Sequence, residues 1–139
     1  MKLQYQLLTN WKYRTVGPCM VKTGILDLFI NTPYATLHGT GLLIISDGYA
    51  WDGASGPAID TKTFMRGSLV HDCLYQLMRE GLLDRDKYRN CADELLRQIC
   101  LEDGMWKARA DWVYWAVKSF AKRSTEPKEN TGHEIVTIE

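Results

Sequence analysis

The chain has 139 residues, 45% of them hydrophobic and 11% aromatic, which is enough apolar material for a core and rules out wholesale disorder. Seventeen Lys and Arg offset seventeen Asp and Glu, so no net field draws the protein to nucleic acid or to an anionic membrane; either would have to be met locally, and no nucleic-acid partner is expected. No uncharged apolar run approaches the roughly 20 residues that cross a bilayer as a helix. The first residues mix Lys2, Gln4, Gln6, Asn10 and Lys12 with apolar ones, a pattern unlike a signal peptide.

Residues 1–51 favour strands. Tyr5, Leu7, Trp11, Tyr13 and Thr15 alternate with polar neighbours, and Leu42 to Ile45 is a short apolar run. Turn signals at Gly17-Pro18, Asn31-Thr32-Pro33, His38-Gly39 and Asp47-Gly48 cut the segment into short pieces, which predicts a small, mostly antiparallel sheet. Residues 52–61 contain Asp52-Gly53-Ala54-Ser55-Gly56-Pro57, whose glycines and proline exclude regular structure and leave a loop.

From Lys62 the period becomes helical. Phe64, Leu69, Val70, Cys73, Leu74, Leu77 and Met78 precede a stop at Gly81. Asp84 is placed to cap a second helix that carries Tyr88, Cys91, Ala92, Leu95, Leu96 and Ile99 up to Asp103-Gly104. A third helix follows, with Trp106, Ala110, Val113, Tyr114, Val117 and Phe120 as its apolar stripe. The expected fold class is α+β: a single domain over residues 1–121, its helical part being 62–121, and a polar tail over 122–139 in which Ile135 to Ile138 could add an edge strand. The four cysteines form no C-x-x-C pair, which favours reduced thiols over a disulfide framework or a zinc site.

Helix geometry points to one polar constellation. His71 and Tyr75, four apart, share a face, and Asp72 is rotated from it by about 100°. A helix hairpin centred near 82.5 reflects position 71 onto position 94, which puts Asp93 within about one residue of level with His71. A carboxylate there can fix the tautomer and orientation of the imidazole, an arrangement suited to general-base activation of water. Asp72 and Asp52, together with carbonyls of the loop at Gly53, form an oxygen set suited to a hard cation. Ser55 ties the loop or caps the next helix. The same residues also fit a purely structural cluster, with His71 a hydrogen-bonded core histidine and Asp93 its buried partner.

These residues resemble a known family. Gly48-Tyr49-Ala50-Trp51-Asp52-Gly53-Ala54-Ser55-Gly56-Pro57, then His71-Asp72-Cys73-Leu74-Tyr75, then Arg89 to Asp93 look like the signature aromatic-x-x-D-G-A-S-x-P, H-D-x-L-Y and R-x-x-A-D of a phage and prophage domain family of unknown function. The resemblance covers roughly residues 40 to 121. It implies a bacteriophage or prophage origin, action in the bacterial host cytoplasm or association with the virion, and a virion or host protein as a partner.

A more distant similarity is to bacterial and fungal secreted phospholipases of the A2 type. In these a D-G-C-S loop, an R-H-D-x-x-Y helix and a later Asp come in the order found here as Asp52-Gly53-Ala54-Ser55, His71-Asp72-Cys73-Leu74-Tyr75 and Asp93. That similarity implies His71 as the base, Asp93 as the group orienting it, Asp72 as a calcium ligand, and a lipid or cell-envelope ester as substrate. Ala54, Val70 and Leu96 depart from its pattern, replacing a half-cystine, an Arg and an aromatic residue. Two functional readings follow: a metal-assisted hydrolase, or a non-enzymatic phage protein, virion- or tail-associated or a modulator of a host protein, whose His-Asp cluster is structural.

Other features carry less. His38 lies in a turn-like stretch of the strand-rich half, away from the helical metal patterns it would need. Trp106, Trp112 and Trp115 among Lys107, Arg109, Lys118, Lys122 and Arg123 suit a nucleic-acid or membrane surface in residue type, but a core helix with solvated lysines is the preferred account of them.

Overall fold

A computed structural model of the chain describes residues 3–7, 13–53 and 61–125. Among the described residues seven short strands precede three helices, an α+β order. The chain divides into two compact units, the first ending at Asp52 and the second starting at Gly53.

In the first unit β1 (Tyr5–Leu7), β2 (Tyr13–Thr15) and β7 (Ala50–Trp51) form one sheet in the order β1-β2-β7. β3 (Cys19–Lys22), β4 (Ile30–Asn31), β5 (Ala35–Leu37) and β6 (Leu42–Ile45) form the other, in the order β3-β6-β5-β4. Every pairing is antiparallel. The β2–β7 pairs (Tyr13 with Trp51, Arg14 with Ala50) and the β3–β6 pairs (Cys19 with Ile45, Val21 with Leu43) keep one register. A single ladder is therefore interrupted between them. Pro18 has no N–H to give, and Gly48 sits at φ +82°, a backbone that L-residues rarely adopt. Across the gap a side chain replaces the ladder, with the Gly17 N–H donating to Asp47 Oδ1 at 2.7 Å. Alternation does the rest: Cys19, Val21, Ala35, Leu37, Leu43 and Ile45 are buried, while Met20 and Lys22 between them are exposed.

In the second unit α1 (Lys62–Arg79), α2 (Arg85–Glu102) and α3 (Lys107–Thr125) follow in order, α2 packing on both α1 and α3. Two glycines end the first two helices in the same way. Gly81 N–H donates to Met78 O and Leu82 N–H to Leu77 O; Gly104 N–H donates to Leu101 O and Met105 N–H to Cys100 O. Both glycines have positive φ, so each closes a Schellman motif that satisfies carbonyls a helix end leaves orphaned. Asp84 caps α2, accepting from the N–H groups of Asp86 and Lys87. Phe64, Leu96, Cys100, Met105, Ala110 and Val113 form a buried cluster, with Val117 packed against it. At about 1.5–3 kcal/mol for each large apolar side chain removed from water, this burial is what holds the helices together. Arg66 spans two elements, forking onto Asp103 and reaching Glu102 at the end of α2.

Two expectations need adjustment. Trp106, assigned by spacing to the stripe of the third helix, is exposed. The turn after Gly104 directs Met105 inward in its place, and α3 starts only at Lys107. The helix also continues through Thr125, past the composition change at Lys122. All four cysteines carry free thiols, and the expected strand at Ile135 to Ile138 lies outside the described residues, as does Trp11.

Candidate functional site

α1 is buried around most of its circumference, and its open strip carries Asp72, Gln76 and Arg79. His71 and Tyr75 border that strip, with ring centroids 4.0 Å apart and planes inclined by 40°. Across the hairpin Asp93 of α2 meets both. His71 Nε2 lies 2.7 Å from Asp93 Oδ1, as the reflection about the turn predicts, and the Tyr75 hydroxyl donates to the same oxygen. Asp93 is 1% exposed and His71 6%.

The close approach of the helices has a specific cause. Gly67 stands one turn before His71, and a Cβ placed on it would lie 2.9 Å from Leu96 Cδ1, 3.0 Å from Cys100 Sγ and 3.3 Å from Leu96 O. Leu96 itself follows Asp93 by three residues on α2. A side chain at position 67 would hold α2 off one turn away from where His71 and Asp93 meet. A glycine inside a helix costs about 1 kcal/mol relative to alanine, so the residue is a readable signal that the sequence reading passed over.

The hydrogen bonds set the protonation pattern. Asp93 is acceptor-only when ionised, so Nε2 of a neutral His71 carries the ring proton and Nδ1 keeps its lone pair. Nδ1 is 3.8 Å from Asp72 Oδ1, and the Asp72 side chain is 34% exposed. The imidazole thus lies between a buried carboxylate and a half-buried one. Burial disfavours the charged ring, but attraction from Asp72 and Asp93 outweighs it and holds the His71 pKa above its ordinary value. Burial, reinforced by the bond to Asp93, pushes the Tyr75 hydroxyl well above its usual range, with Arg89 acting weakly in the opposite sense. Tyr75 is therefore a fixed neutral donor. Asp93 Oδ2 is buried and has no hydrogen-bond partner among the described residues, so Oδ1 alone takes both donors.

The second unit brings together His71, Asp72, Tyr75 and Asp93. Asp52 is exposed at the end of the first unit, and Gly53, buried, begins the second at φ +77°. Ser55 lies outside the described residues. Among the described residues no three His, Cys, Asp or Glu side chains gather as a metal site. Asp72, rather than the buried Asp93, is the carboxylate beside His71 open enough to meet an added cation.

Residues 27–117 match a family model described as "Protein of unknown function (DUF1353)". No curated protein and no solved structure matches the chain.

Proposed function

The chain belongs to the DUF1353 family, and for it we propose a hydrolase of bacteriophage or prophage origin in which His71, held by Asp93, takes a proton from the attacking water. One observation carries the reading: Asp93 occupies Nε2, which leaves Nδ1 as a lone-pair nitrogen on the side of the half-exposed Asp72. The separation of 3.8 Å between Nδ1 and Asp72 Oδ1 is too long for a direct hydrogen bond and suits a water that bridges them. That water gives its proton to Nδ1 as its oxygen adds to the carbonyl carbon of an ester. The imidazolium so formed lies between two carboxylates that stabilise it, and it returns the proton to the departing alkoxide as the C–O bond breaks. The products are an acid and an alcohol. Tyr75 holds the carboxylate that holds the ring.

The substrate class in this reading is an ester of lipid or cell envelope, with Ca2+ as the ion that Asp72 would help to hold. Its test is acid release from phospholipid vesicles at constant pH, with and without calcium, by the wild type and by His71→Asn. The reading expects calcium-dependent release by the wild type and none by a variant that melts at a similar temperature.

A second reading is favoured by the depth of the cluster, since Asp93 and His71 are nearly closed to solvent. In it the protein is a non-enzymatic virion- or tail-associated component, or a modulator of a host protein, and the three side chains lock the helix hairpin. It expects no acid release and a large loss of stability in His71→Asn and Asp93→Ala alike.

A further inference from the structure

Three tryptophans of the second unit face solvent: Trp106 is 84% exposed, Trp115 65% and Trp112 42%. Trp112 and Trp115 are three apart on α3, opposite the buried Ala110, Val113 and half-buried Val117, and so stand on its outward face. The helix is also a cationic part of a chain that is neutral only as a whole. Its residues include Lys107, Arg109, Lys118, Lys122 and Arg123 against a single acid, Asp111. That acid is already neutralised, with Arg97 Nε at 2.6 Å and Lys107 Nζ at 2.7 Å. Exposed indoles among lysines on one amphipathic helix are unusual for a surface that meets only water. Indole is an apolar body with one N–H, the residue type that sits at headgroup depth, and lysine stems let their ammonium groups reach lipid phosphates.

From this we infer that the outward face of α3 docks on the surface of an anionic bilayer, the indoles of Trp112 and Trp115 entering the headgroup layer and the basic side chains meeting its phosphates. Complementary charge selects the partner: a second copy would bring the same cationic face against itself, and like charges across an interface oppose pairing. The docking needs no turnover, so it stands or falls separately from the hydrolytic reading.

The experiment is co-sedimentation of the full chain with vesicles of phosphatidylglycerol and phosphatidylcholine, and with phosphatidylcholine alone, while tryptophan emission is followed. The expected result is binding to the anionic vesicles with a blue shift, weakening as salt rises, and little binding to the neutral ones. Lys118→Gln should weaken binding about fivefold, the effect of one charge near an anionic surface. Trp115→Ser should weaken it and reduce the blue shift, with the melting temperature of each variant unchanged. Equal binding to neutral vesicles, or binding unaffected by both substitutions, overturns the proposal. So does a concentration-dependent dimer, or duplex-DNA binding, that these substitutions abolish while vesicle binding is absent.

Discussion

Gly67 and Leu96 are in contact across the α1–α2 crossing, so closely that a Cβ at position 67 would lie 2.9 Å from Leu96 Cδ1 and 3.3 Å from the Leu96 carbonyl. Leu96 is buried and cannot swing away, and its carbonyl is fixed in the helix. Gly67→Val is expected to destabilise the protein by about 2–3 kcal/mol, overpacking exceeding the small gain in helix propensity. Gly67→Ala, which gains more propensity and adds one methyl, should cost less. Urea unfolding of the two variants tests the order, and a Gly67→Val protein as stable as the wild type would remove the glycine from its role as spacer.

Tyr75→Phe removes one of two donors to Asp93 Oδ1 and leaves the ring stacked beside His71. A hydrogen bond to a buried carboxylate is worth about 1.5–3 kcal/mol, and that loss is expected in chemical denaturation. If His71 is the base of a hydrolytic site, the same change also moves the pH profile upward, because Asp93, less satisfied, attracts the imidazolium more strongly. A stability loss with an unmoved profile assigns Tyr75 to packing alone.

Stability should depend on pH through His71. Its folded-state pKa is raised above the ordinary histidine value. The contribution is therefore fully present below the unfolded-state pKa, about 6.5, and is lost as pH rises through the folded-state value. The difference in unfolding free energy between wild type and His71→Gln should shrink as pH rises above about 6.5. A difference that grows over that range contradicts the assignment. Hydrolysis shows the complement of the same titration, since the base works only when neutral, so acid release should rise with pH about a midpoint above the usual histidine pKa.

Asp84→Ala strips the cap from α2, leaving the N–H groups of Asp86 and Lys87 without their side-chain acceptor. A loss of about 1 kcal/mol is expected, and Asp84→Asn should recover most of it. Thermal unfolding distinguishes the three proteins, and Asp84→Asn falling as far as Asp84→Ala would mean that charge, not capping, matters at that end.

Much of this was legible in the residues, for identifiable reasons. The helices announced themselves through Asp84, Gly81 and Gly104, because a cap or a left-handed backbone at a helix end restricts the residue allowed there. The His71–Asp93 pairing followed from the short turn, since a tight hairpin leaves little freedom in register. The division of the sheet was not legible: Gly17-Pro18 and Asp47-Gly48 each read as a turn, but only pairing shows that they lie opposite one another and break one ladder at one level. Trp106 was misplaced because a period carried back from Ala110 and Val113 knows nothing of the Schellman turn that brings Met105 inward. Gly67 was overlooked because its role lies on the neighbouring helix, in the position of Leu96.

The shortness of the α1–α2 connection also bears on the order of assembly. His71 and Tyr75 reach Asp93 over 22 and 18 residues of chain that are mostly helical, whereas Thr15 must find Tyr49 across 34 residues of short strands. Contacts close in sequence form sooner than sheet pairings that wait on loop closure. The dyad is thus expected to close early, with its hairpin, and the interrupted ladder to complete later. In pulse-labelled hydrogen exchange, amides flanking His71 and Asp93 would gain protection before those of β3 and β6, and a variant at Pro18 or Gly48 would slow the second phase while leaving the first unchanged.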